Sequence, residues 1–192
     1  MFIDNPYAPP RANLRHPAVP QPTFFVVSSR KLVLMVVLSQ GLYLVYWSYK
    51  HWANYRQASG ARIWPWARGL FAVFFYYSLA MKIRQKLALT DARHRWWPRC
   101  LALALTASAL LPQAITWLVE PMTALKLSFC LLILDAALAV QIQHAVNLAE
   151  DDADGDANGR LTWANGLWIL IGMGVFGLTF AWTLQPPEWY HP

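Results

Sequence analysis

Charge is scarce in this chain. Asp, Glu, Lys and Arg make up only 14% of its 192 residues, where a soluble domain carries about a quarter. That shortage, beside 57% hydrophobic residues, excludes the usual pattern of a soluble globular domain. Cysteine is scarcer still: Cys100 and Cys130 are the only two, too few for a disulfide framework, and both are expected as buried apolar thiols. A short basic leader before an apolar core is missing from the first residues, so the first apolar helix is expected to act as its own insertion signal. Acids are nearly absent from the first half. Before residue 100 only Asp4 and Asp91 are acidic, against 14 of the 16 Lys and Arg residues. Because these basic residues flank apolar runs, they point to retention on the cytoplasmic side of a membrane and contact with anionic headgroups, and nucleic acid is not expected as a partner. No nucleophile and base pair and no metal cluster stands out, so no enzyme activity is expected and no catalytic or cofactor-binding residue is assigned.

What is present is a series of apolar runs edged by eleven Trp and eight Tyr, as interfacial aromatics are arranged. The fold expected is an all-α integral membrane bundle of four to five transmembrane helices. Residues 1–23, with six prolines, read as a disordered cytoplasmic tail. Residues 24–192 read as one helical domain with helices at about 32–49, 66–82, 100–119, 122–148 and 163–184. In the second of these, only Gly69 to Met81 is free of charge. Those residues make about 20 Å of helix, short of the roughly 30 Å hydrocarbon core. It either spans with the help of Arg68 and Lys82 or is re-entrant. The following basic stretch, with Ile83, Leu87 and Leu89, is expected to lie on the membrane surface, anchored by Trp96 and Trp97. Charge bias places the N-terminus in the cytoplasm and the C-terminus outside.

Polar residues inside apolar runs carry the functional expectations. Asp135 stands near the middle of the fourth helix, where a carboxylate costs about 2.5 to 3.5 kcal/mol to insert. It therefore either fixes helix packing through a hydrogen bond or marks a proton, cation or substrate site. Gln40, Thr106, Ser108 and Gln113 are its candidate partners on other helices. Gln40 is expected to bond between helices, and Pro112, beside Gln113, to free a backbone carbonyl. His144 is expected to be an interfacial histidine satisfied by water. The glycines at Gly172, Gly174 and Gly177 formally fit a dinucleotide-binding spacing, but they lie inside an apolar helix and read as close-packing positions.

The acidic loop resembles an EF-hand calcium loop. Asp154, Asp156 and Asn158 take the first three ligand positions, Gly159 the sharp turn, the Arg160 carbonyl the seventh place and Thr162 the ninth. Asn165 departs from the pattern, because the twelfth position is a bidentate Glu in EF-hands. The loop is expected either to bind Ca or Mg weakly or to be a solvated turn. The segments FFVVSSRKL, GLYLVYWSYKHW, IWPWARGLFAVFFYYSL and NGRLTWANGLW, with NPYAPP at the start, resemble a group of uncharacterised small bacterial membrane proteins. That resemblance implies a bacterial inner-membrane location and no particular activity. Three functions remain open, in this order: a non-enzymatic subunit, accessory or protective factor acting on lipid or a membrane-protein partner; a small transporter or channel, monomeric or homo-oligomeric, with Asp135 in its path; and a membrane enzyme.

Overall fold

The computed structural model describes residues 22–90 and 94–184, and among them there are helices but no strand. The helices are α1 (Ser29–Leu38), α2 (Tyr43–Ser59), α3 (Pro65–Leu70), α4 (Ala72–Leu87), α5 (Pro98–Leu118), α6 (Pro121–Ala149) and α7 (Trp163–Thr183). Three of them, α5, α6 and α7, are long and apolar enough to cross a membrane, and each runs within two residues of its expected bounds. The expected disordered tail lies outside the described residues, except for Pro22 and Thr23.

The first two expected helices are each two helices. The run 32–49 is interrupted at Ser39–Leu42, where Gln40 has φ 52° and Gly41 φ 82°. A positive φ costs little at glycine but is strained at glutamine, so packing holds this break. The run 66–82 breaks at Phe71, between α3 and α4. None of the four pieces meets both the length and the hydropathy needed for a span: α1 is about 15 Å long, and α2, though longer, carries Lys50, His51 and Arg56.

Partner residues give the direction of each piece. The α1 helix starts beside the acidic loop, where Gly155 packs on the Val27 backbone, and ends where Ser39 meets Gly172 of α7. The chain then reverses. At the break Gly41 faces Leu132 of α6, and two turns on the Trp47 indole donates to Gln143 of the same helix, 2.6 Å away. Beyond that, the Phe25 N–H donates to His51 Nδ1 at 3.2 Å, and Tyr55 stacks on Phe24. α2 therefore returns to the end from which α1 set out. α3 goes in again: Gly69 lies so close to Tyr49 that a Cβ there would stand 2.7 Å from the tyrosine Cβ. Arg68 lies 4.3 Å from the Trp52 ring centre, within cation–π range. α4 comes back, ending with Lys86 bonded to Glu150 at the close of α6, 2.6 Å apart. Two helical hairpins thus share one end of the molecule with the starts of α5 and α7 and the close of α6.

Two further expectations are corrected. The basic stretch does not lie on the surface from its start, because α4 continues to Leu87 with Ile83 and Leu87 in the core; only Leu89 is fully outside. Both cysteines are exposed rather than buried, since the outward faces of α5 and α6 are themselves apolar and offer a thiol no reason to turn inward.

Candidate functional site

The tips of the two hairpins meet α5 and α6 around a cavity of about 420 Å³. Its wall includes Gln40 and Gly41 from the first break, Tyr76 from α4, Pro112 and Gln113 from α5, and Asp135 from α6. The three polar residues singled out inside apolar runs, Gln40, Gln113 and Asp135, are therefore brought to one place. Asp135 is 7% exposed. Of its four expected partners, Ser108 is the one that bonds it, its hydroxyl donating to Oδ1. Pro112, four residues on, has no N–H for the Ser108 carbonyl, so the backbone beside the carboxylate is loosened as expected. Thr106 instead donates to the Val73 and Ala102 carbonyls, joining α5 to α4. Among the described residues Gln40 does not bond across helices; its amide donates to Val37 O at 3.2 Å and closes the end of α1. The correction follows from the break, which turns that side chain back on its own helix. Gln113 has no side-chain hydrogen bond among the described residues; it lines the cavity and is itself exposed. The irregular backbone of the first break thus lies where it lines a cavity beside Asp135.

Nearer the shared end lies a buried polar lock that the sequence reading missed. Gln143 Oε1 accepts from Trp47, while its amide donates to Phe25 O at 3.0 Å and to Asn147 Oδ1 at 2.6 Å. Asn147 in turn donates to Val27 O at 3.0 Å. The extended segment 23–27 is therefore held along α6 by side chains, as an edge strand would be by backbone. Glu150 completes the grip, accepting from the N–H groups of Thr23 and Phe24. His51 accepts through Nδ1, so its proton sits on Nε2, which is buried without a partner among the described residues. Burial holds its pKa down at about 3, and the ring is neutral. The available signal was the spacing of Gln143 and Asn147, four residues apart on the face that carries Ala136 and Ala139.

The acidic loop converges on a cation, but that cation belongs to the chain. The Lys31 ammonium donates to Asn158 Oδ1 at 2.7 Å and to the Arg160 carbonyl at 2.6 Å, and the side chain is nearly buried. Burial lowers its pKa from the ordinary lysine value. Thr162 and Asn165 serve each other at the start of α7, the Asn165 oxygen accepting from Thr162 N in a capping box. Asp154 and Asp156 stay exposed, along a groove with Arg30 and His144. Among the described residues no group of three His, Cys, Asp or Glu side chains is placed to hold a metal ion. Calorimetry of the detergent-solubilised protein with Ca²⁺ or Mg²⁺ is therefore expected to give no binding tighter than the weakest loops, with dissociation constants of about 10⁻⁴ to 10⁻³ M. Submicromolar binding by the unaltered chain would mean that Lys31 leaves the loop when a metal arrives.

His144 is not alone. The His94 ring lies 5.0 Å from it in a T-shaped contact, a pairing between a connection and α6 that local spacing does not reveal. Burial first, and His144 second, lower the His94 pKa, so it is neutral at pH 7. Of the three spaced glycines only Gly172 is a close-packing position; Gly174 and Gly177 face open space. No protein-family model, curated protein or solved structure matches the chain.

Proposed function

We propose that the chain is a bacterial inner-membrane protein that admits a proton or small cation to Asp135, as a small transporter or channel does. The observation that carries this reading is the convergence of Gln40, Gln113 and Asp135, from separate segments, on one cavity between helix breaks. A carboxylate whose only role is packing needs no cavity beside it. In this reading α5, α6 and α7 cross the bilayer, the two hairpins enter from the cytoplasmic side and return, and the cavity lies at mid-depth. The charge distribution agrees with it. That topology leaves Lys126 as the one Lys or Arg on the outer side, with Arg68 on the inward limb of the second hairpin, a stronger bias than five spans would leave. No catalytic step is assigned.

The test is flux through purified protein in liposomes, with a pH-sensitive dye inside and a potassium gradient with valinomycin as driving force. Wild type is expected to carry protons or sodium at least about tenfold faster than Asp135→Asn, which keeps shape and hydrogen bonding but not ionisation. Equal, leak-level flux from both would reject transport. A second reading, a membrane-embedded subunit, is favoured by α7, whose outward residues from Leu167 to Trp182 are largely exposed. It is the reading that remains if flux is absent and the chain copurifies with a defined membrane partner.

A further inference from the structure

At the shared end of the molecule a second cavity, of about 610 Å³, opens between the close of α4 and the start of α5. Its polar wall is cationic: Arg84, Arg95 and Arg99 line it beside His94, and no carboxylate does so among the described residues. The three arginines make no ion pair and no side-chain hydrogen bond among the described residues, and all three are exposed beside the same cavity. Such grouping is costly by itself, since like charges repel, and it calls for an anion. The first turn of α5, a helix of 21 residues with Pro98 in its first turn, adds free N–H groups and the positive end of the helix dipole at the same place.

The rest of the wall distinguishes the kind of anion. Leu87, Trp96, Trp97 and Pro98 form an apolar and aromatic side. Cys100, which also lines the cavity, is exposed, and so is Leu103, one turn further along α5. An anion held here would have its phosphate among the arginines, its glycerol region against the tryptophans and its acyl chains along the outward face of α5. We infer that this cavity is a headgroup site for an anionic diacyl phospholipid of the leaflet facing the shared end. The inference rests on the three-span membrane placement and not on transport.

Native mass spectrometry of protein released from nanodiscs of phosphatidylcholine with a minority of phosphatidylglycerol tests it. Retained lipid is expected to be enriched in phosphatidylglycerol. Arg95→Gln and Arg99→Gln are each expected to lower that enrichment roughly fivefold. Arg62→Gln, a change at the same end but outside this cavity, is expected to leave it unaltered. Equal loss with Arg62→Gln, or no enrichment in wild type, would overturn the site in favour of a diffuse surface charge. Displacement of the lipid by millimolar inorganic phosphate would overturn the lipid and leave a site for free phosphate. Failure of the chain to enter nanodiscs at all would instead reject the membrane placement. Melting temperature in pure phosphatidylcholine discs, expected to be equal for wild type and variants, shows that each variant is folded.

Discussion

A reporter inserted after Gly60 is expected to give the same result as one in the acidic loop and the opposite result to one after Leu184. Gly60 ends α2 in a left-handed conformation at the shared end of the molecule, where Tyr55 stacks on Phe24. A fluorescent protein, which matures only in the cytoplasm, should light up at Gly60 and in the loop, and alkaline phosphatase should be active only after Leu184. The difference is all or none, because a fusion is either translocated or not. Phosphatase activity at Gly60 would mean that α1 and α2 cross together as one span and that the hairpin exists only away from the bilayer.

Gln143→Leu is expected to be the most damaging single change outside the cavity. It leaves the Trp47 indole N–H, the Phe25 carbonyl and the Asn147 amide oxygen without a partner that each now has. Trp47 and Asn147 are fully buried and Phe25 nearly so, and an orphaned buried polar group costs about 1 to 3 kcal/mol. A loss of about 3 kcal/mol or more is expected in denaturant unfolding of the micelle-bound protein. Gln141→Leu, two residues away but exposed, should stay within about 0.5 kcal/mol of wild type. Equal stability of the two variants would show that the lock contributes nothing to holding segment 23–27.

The contrast between these residues explains what could be read in advance. The span-length helices α5, α6 and α7 are legible because about twenty predominantly apolar residues leave the backbone no alternative in lipid to a helix. Residues 32–49 meet the same criterion, yet they form the end of one helix, a break and the start of another. The difference comes from contacts with α6 and α7, and the only local trace is the Gln40–Gly41 pair. Asp135 was legible through its cost, and so was the set of partners that contains Ser108. The loop shows the limit most clearly: the spacing of Asn158 and Arg160 does direct oxygens onto one cation, but the cation is Lys31, 127 residues before Asn158. A pattern read along the chain contains no term for a ligand supplied from its other end. Gln143 and Asn147 were overlooked for a related reason, since near the end of an apolar run two amides look like the approach to water.

The lock on segment 23–27 also dictates an order of assembly. Phe25 and Val27 reach partners 118 and 120 residues later in the chain. Until α6 has been synthesised, the Trp47 indole and the Phe25 and Val27 carbonyls lack the amides that pair them, and lipid offers them no substitute. At roughly 5 to 20 residues per second, a ribosome needs several seconds or more to make that stretch. During this interval the first hairpin has either to wait in the aqueous interface or to be shielded by the insertion machinery. The first half of the chain is thus made first and seated last. A chain truncated before residue 121 would carry every residue of both hairpins and still be unable to bury them.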